Sequence, residues 1–172
     1  MKNKKTFIGL IVLLAVLMLG IGYAALTNIT LNINGTATGM PDGSNFVVDF
    51  SDDESKIVVD KSKANTNVEV DAKKTGTLKA KLDVSNLTSK GESVTVTYTI
   101  ENNSKDLSAD LELSPASFKD DNFEITAELA DDSIAKGEST TVTVTAKLLV
   151  TPVTEDVSTS FNFSVEASPV QP

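Results

Sequence analysis

The side chains that could do chemistry in this chain are carboxylates and lysines. The 172 residues include 24 Asp and Glu and 15 Lys, but no His, Cys, Trp or Arg. Without His and Cys there is no Ser-His-Asp triad, no thiol nucleophile and no imidazole or thiolate ligand for zinc. Without Arg there is no bidentate clamp for carboxylate or phosphate. The composition therefore argues against an enzyme and predicts no cofactor and no metal, although catalysis by carboxylates and Lys alone is left open.

Three acidic runs are the only candidates for a cation site. They are Asp49 with Asp52–Glu54, then Asp120-Asp121, then Asp131-Asp132. Calcium takes several convergent oxygen ligands, and none of these runs has the spacing of an EF-hand loop. Solvated loop charge is the simpler interpretation, and calcium binding is the alternative.

The net charge limits the partners of the chain. Residues 25–172 contain 12 Lys against 24 acidic residues, a net charge of −12. A surface of this sign repels nucleic acid and anionic lipid head groups. We therefore expect no nucleic acid as a partner, and contact with a membrane only through the N-terminal segment.

The N-terminus has the pattern of an export signal. Lys2, Lys4 and Lys5 precede an unbroken apolar stretch over residues 7–26. A basic start, an apolar middle and small residues before a cut are typical of a secretory signal peptide. The small residues predict cleavage between Ala24 and Ala25, which divides the chain into a leader, 1–24, and one domain, 25–172.

An uncleaved anchor is the alternative for the same segment. Twenty apolar residues in a helix span roughly 30 Å, the thickness of a bilayer core. Positive charge on the short N-terminal side leaves the rest of the chain outside in either case. We expect a secreted or cell-surface protein, with residues 7–26 as its anchor if they are retained. The Lys-rich, Arg-free composition and the style of the signal suggest a Gram-positive bacterium as the source.

The remainder of the chain has the period of β-strands. Apolar residues alternate with polar ones, which predicts strands with one buried and one solvated face. About ten such segments separated by turn residues predict an all-β, immunoglobulin-like antiparallel β-sandwich, with a jelly-roll variant as the alternative. The clearest alternating segments cover residues 29–34, 78–85, 94–101, 107–113, 123–129, 142–148 and 157–165.

One short motif occurs twice. Lys90-Gly91-Glu92-Ser93 and Lys136-Gly137-Glu138-Ser139 each lead into a Thr-rich alternating run. The sequence between the two copies has no counterpart before residue 90, so this is not a tandem repeat. We expect two equivalent strands of one sandwich, each entered through the same Gly turn.

The second half of the chain, residues 82–172, resembles a known family. The segments DVSNLTSKGESVTVTYTIENNSKDLSADLEL and SFNFSVEAS are similar to secreted matrix-fibre subunits of the TasA and camelysin type. The resemblance implies a signal peptide, an immunoglobulin-like sandwich and a biofilm-matrix role, with the turn at Gly91 and the paired-Asn segment at Asn102-Asn103. The aromatic and acidic pattern that follows the leader in that family is absent here.

The first strand of the mature domain is the candidate assembly site. Ile29, Leu31 and Ile33 alternate in a stretch without acidic residues, residues 25–37. Such a strand can add to the sheet of a neighbouring copy as a donor strand, or it can pair within its own sheet. The two functions to be weighed are a structural subunit that self-associates into oligomers or fibres, and an immunoglobulin-like adhesion module that binds a cell-surface protein or glycan.

Overall fold

The computed structural model describes residues 45–170 and, for the backbone alone, residues 29–33. The leader, the cleavage point at Ala24–Ala25 and the expected N-terminal apolar helix lie outside the described residues. Within the described part of the chain, the only helical element is one 3₁₀ turn, Glu54–Lys56. The chain is therefore all-β where it is described, as its alternation predicts.

The described residues form twelve strands, and antiparallel pairing predominates among them. The strands are β1 (Ile29–Ile33), β2 (Val48–Phe50), β3 (Val58–Lys63), β4 (Glu69–Gly76), β5 (Lys79–Ser85), β6 (Ser93–Asn102), β7 (Ser108–Ser114), β8 (Ser117–Lys119), β9 (Phe123–Leu129), β10 (Ser133–Ile134), β11 (Ser139–Leu148) and β12 (Phe163–Val170). Sheet A has the order β10-β7-β12-β1-β5-β4. Sheet B has the order β2-β6-β11-β9-β8, and β3 also pairs with β6.

The two sheets share one hydrophobic core, which is the arrangement of a β-sandwich. On β6, Val94, Val96, Tyr98 and Ile100 are buried, whereas Thr95, Thr97 and Thr99 between them are partly exposed. Sheet A contributes Phe163, Val165 and Ala167 of β12 to the same cluster. Each Val or Ile buried in this way contributes about 1.5–3 kcal/mol. The apolar residues of the alternating pattern thus face the core, and the polar residues between them face the solvent.

The repeated motif forms the two ends of the central β6–β11 pair. Gly91 and Gly137 both have positive φ, 91° and 75°, a region that favours glycine. The Gly91 N–H donates to the carbonyl of Leu148, the last residue of β11, at 2.8 Å, and the Gly137 N–H donates to that of Asn102, the last residue of β6, at 2.8 Å. Each turn therefore closes the end of the neighbouring strand, which confirms the prediction of two equivalent strand entries.

Two parts of the fold differ from the sequence-based prediction. The strand predicted over 157–165 begins only at Phe163 and extends to Val170. Because β11 ends in sheet B and β12 lies in sheet A, residues 149–162 cross from one sheet to the other, and none of them belongs to a strand. Strands β3 and β4 and the short strands β8 and β10 were not predicted at all. All of β3 is exposed, so it has no buried face and its sequence lacks the alternation of apolar and polar residues.

Candidate assembly site

The acidic runs are used locally as turn caps. Asp53 accepts a hydrogen bond from the backbone N–H of Ser55 at 3.0 Å, at the start of the 3₁₀ turn. Asp120 accepts from the N–H groups of Asn122 and Phe123 at 2.8 and 2.6 Å. Nowhere in the described residues do three acidic side chains converge as metal ligands would. The carboxylates thus shape turns before strands, as Asp does generally.

Two carboxylates do meet across the β2–β6 pair. Asp49 and Glu101 lie directly opposite each other. Glu101 accepts hydrogen bonds from the Lys56 Nζ and the Ser51 Oγ, both at 2.7 Å, and these hold its pKa below the usual value, the Lys56 contact being the larger cause. Asp49 Oδ1 is buried and has no hydrogen-bond partner among the described residues. Burial raises the pKa of Asp49, against the opposing effect of Lys74.

Lys74 connects the two sheets at this side of the sandwich. It belongs to β4 of sheet A, and its Nζ donates to the backbone carbonyl of Phe50 in β2 of sheet B at 2.7 Å. The same ammonium group pairs with Asp52. Only 14% of the Lys74 side chain is exposed, so the ammonium group is largely screened from water. The sequence pattern carried no signal for this role, because β4 itself was not recognised.

Asn102, from the paired-Asn segment, is a fully buried polar anchor. Its side-chain amide donates to the carbonyls of Leu107 at 3.0 Å and Ile134 at 3.1 Å. Its side-chain oxygen accepts from the Ser104 N–H at 3.0 Å. One side chain therefore ties the end of β6 to the following turn and to β10. The sequence singled out this stretch only as the paired-Asn segment of the resemblance.

The candidate donor strand, β1, lies in the middle of sheet A. It pairs antiparallel with β12 over five residues, from Ile29 opposite Ala167 to Ile33 opposite Phe163. On its other side it pairs in parallel with β5, with Ile33 opposite Ala80. The register therefore sets Ile29, Leu31 and Ile33 opposite residues of the buried core. Among the described strands, β1 alone joins the β10-β7-β12 part of sheet A to β5-β4.

A cavity of about 290 Å³ opens between the sheets beside the crossing segment 149–162. Its walls come from β5, β9, β11 and the crossing segment, and apolar and polar groups line it in similar measure. Representative lining residues are Leu82, Ile125 and Phe161, with Asp83, Ser158 and Thr159. Its size lies at the lower end of the range for small-molecule pockets.

Comparison with known proteins adds no relative. No protein-family model matches the chain, and neither a search of curated proteins nor one of solved structures finds a match. In the part of the chain that the structure describes, no helix has the length and apolar character of a membrane span. The described residues form an all-β fold whose two sheets are consistent with a β-sandwich.

Proposed function

We propose that this protein is a non-enzymatic structural subunit of the cell surface or extracellular matrix. In this proposal the leader, 1–24, directs export, and the domain is an immunoglobulin-like sandwich of the TasA and camelysin type. Copies associate through β-strands, with β1 of one copy completing sheet A of the next.

The position of β1 carries this proposal. It is the first of the described strands, yet it occupies a central place in sheet A between β12 and β5. When β1 leaves, β12 and β5 each present a row of unpaired backbone groups, and such an edge is a template for another strand. A strand of identical sequence from another copy makes the same pairs in the same register.

The chain length between β1 and β2 is compatible with this exchange. Residues 34–44 connect β1 to the described domain, and eleven residues span at most about 40 Å when extended. That reach is comparable to the diameter of a small domain. Exchange of an identical element is a low-cost route to assembly, because the strand pairs that open within one copy form again between two copies.

Removal of the strand tests the proposal. A chain without residues 25–37 is expected to form no polymers and to have a lowered melting temperature, because the slot between β12 and β5 is open. A synthetic peptide of residues 25–37 added in trans is expected to bind and to restore the melting temperature. The matched control is the same peptide with Leu31→Pro, which lacks one backbone donor and cannot continue the ladder. Fibres from the truncated chain in electron micrographs would contradict the proposal.

The second candidate function is a monomeric interaction module. In that case residues 7–26 anchor the chain, and the domain binds a cell-surface protein or a glycan. The cavity beside the crossing segment favours this alternative, because it combines apolar walls with Asp83, Ser158 and Thr159. Retention of the leader in the isolated protein, together with a monomeric state at all concentrations, would support this function over the first.

A further inference from the structure

Strand β4 is the longest edge strand of the described sandwich. It has eight residues, whereas the opposite edge of sheet A is β10 with two, and the far edge of sheet B is β8 with three. Short edge strands and irregular edges protect a sheet from pairing with another chain. β4 runs in regular register with β5 from Glu69 to Lys74, and its register shifts only after that. On its other side, the described residues supply no neighbouring strand.

The outward face of β4 carries its charges in a fixed order. Glu69, Asp71 and Lys73 are exposed on this face, so the strand is acidic in its first half and basic in its second. The side chains of Asp71 and Lys73 are about half exposed, 50% and 48%, and an ion pair of 2.8 Å joins them. When two copies of the strand run antiparallel, the acidic half of each copy lies beside the basic half of the other.

The neighbour that β4 has within its own sheet does not complement these charges. In the β4–β5 pair, Asp71 lies directly opposite Asp83, and Lys73 lies directly opposite Lys81. Like charges in directly opposite positions destabilise a strand pair. Between the two strands the opposite charges meet on the diagonal, where Lys81 Nζ lies 3.9 Å from Asp71. Within each strand they pair along the chain, as Asp71 with Lys73 and Lys81 with Asp83. The open side of β4 is therefore the place where Asp71 and Lys73 can each gain a directly opposite partner of unlike charge.

We propose that β4 is a homotypic docking edge, at which two copies of this chain pair their β4 strands antiparallel about a two-fold axis at Ala72. In this register Asp71 of each copy lies opposite Lys73 of the second copy, and the two contacts are equivalent by symmetry. An axis at Asp71 or at Lys73 would set like charges against each other. Charge order therefore selects one register from those that the backbone allows.

The occupant of the edge is a second copy, because an isologous contact requires a surface that complements itself. The acid-then-base order of β4 meets that requirement. A uniformly acidic or a uniformly basic partner would meet at least one charge of its own sign on this face. Pairing of two β4 strands joins two six-stranded sheets into one continuous sheet across the axis. The inference rests on the proposed self-association and names one of its contacts, which is separate from the β1 slot at the centre of the sheet.

Single charge reversals at the two positions test the inference. Sedimentation velocity over a concentration series is measured for the protein expressed from its full sequence, for Asp71→Lys and for Lys73→Asp. Each single variant sets like charges across the axis twice, which is expected to weaken the dimer by about tenfold or more. The double variant Asp71→Lys with Lys73→Asp restores unlike pairs and is expected to dimerise like the wild type. An equimolar mixture of the two single variants is expected to form a heterodimer.

Matched controls separate this contact from a general effect of charge. Glu138→Lys and Lys147→Glu, which lie outside the edge strands of sheet A, change the net charge by the same amounts and are expected to leave the dimer unchanged. The inference is overturned if the wild type does not dimerise, or if both single variants dimerise as strongly as it does. Wild-type polymers that persist in both single variants would overturn the β4 contact and leave the proposed function standing. A wild-type dimer that both single variants weaken, but that never forms polymers, would support the β4 contact and contradict the proposed function.

Discussion

Asn102 offers a sharp test of the described packing, because three hydrogen bonds depend on one buried side chain. Its amide and its side-chain oxygen join the end of β6 to Leu107, Ser104 and Ile134. The residue is fully buried, at 0% exposure, so these hydrogen bonds are shielded from water in the native fold. Asn102→Ala leaves two carbonyls and one N–H without their partner.

The expected loss of stability follows from these bonds. A net contribution of about 1 kcal/mol for each hydrogen bond gives a loss of roughly 3 kcal/mol for Asn102→Ala, and more if the orphaned groups stay dry. In a domain of this size that loss corresponds to a fall in melting temperature of about 6–12 °C. Urea denaturation measures it as a lower midpoint with an unchanged slope.

The neighbouring residue supplies the control. Asn103 is exposed, and its backbone N–H donates to the carbonyl of Val47 at 2.8 Å, a bond that Asn103→Ala retains. The variant removes the side-chain hydrogen bond of Asn103 to the Glu101 carboxylate. We expect Asn103→Ala to change the free energy of unfolding by about 0.5 kcal/mol or less, as is usual for surface positions. Equal losses for the two variants, or a loss below about 1 kcal/mol for Asn102→Ala, would refute the reasoning.

Three further predictions concern turns, buried charge and solution behaviour. Gly91→Ala and Gly137→Ala should each lower the free energy of unfolding by about 1–2 kcal/mol, because both have positive φ. Gly76→Ala, where a Cβ would have only an ordinary contact of 3.9 Å, should cost less in the same urea titration. Asp49→Asn should stabilise the fold at neutral pH by on the order of 1 kcal/mol. Burial raises the folded pKa of Asp49, so its ionisation opposes folding above that pKa, and the advantage of the variant should vanish as the pH falls through it. Equal stabilisation at all pH values would contradict that cause. Acidification from neutral pH towards the isoelectric point, about 4.5, should promote association by removing self-repulsion, and light scattering that stays flat would count against it.

Sequence periodicity predicts the strands that have one dry and one wet face. β6 and β11 alternate between buried Val and partly exposed Thr through almost their whole length, so their existence and their faces were predicted. The turns at Gly91 and Gly137 were predicted as well, because a turn that needs positive φ favours glycine at that position.

Periodicity fails where a segment has no single buried face. β3 is exposed on both sides. β4 has a partly buried face, but Lys74 and Gly76 share that face with Val70 and Ala72, so neither strand carried a strong apolar alternation. Residues 157–161 alternate like a strand, yet they cross between sheets, because the end of β11 and the start of β12 belong to different sheets. Sheet membership is a non-local property that a window of sequence does not contain.

The candidate site was predicted in part. The sequence singled out Ile29, Leu31 and Ile33 as an alternating strand with two alternatives for its partner. The backbone register opposite Phe163 and Ala80 gives that strand a central position, which is a long-range property. The roles of Asn102 and Lys74 depend on partners 32 and 24 residues away, so local sequence could not indicate them.

Disulfide capture between copies tests the central proposal, exchange of β1, most directly. The chain has no Cys, so Thr30→Cys and Glu166→Cys each create a single thiol, and the two positions lie directly opposite each other in the β1–β12 pair. If β1 of one copy completes sheet A of the next, an oxidised mixture of the two variants forms a mixed disulfide dimer. Glu112→Cys, one strand further from β1, should not form one with Thr30→Cys. A mixture that stays uncrosslinked, while the chain carrying both Cys closes an internal disulfide, would contradict strand exchange.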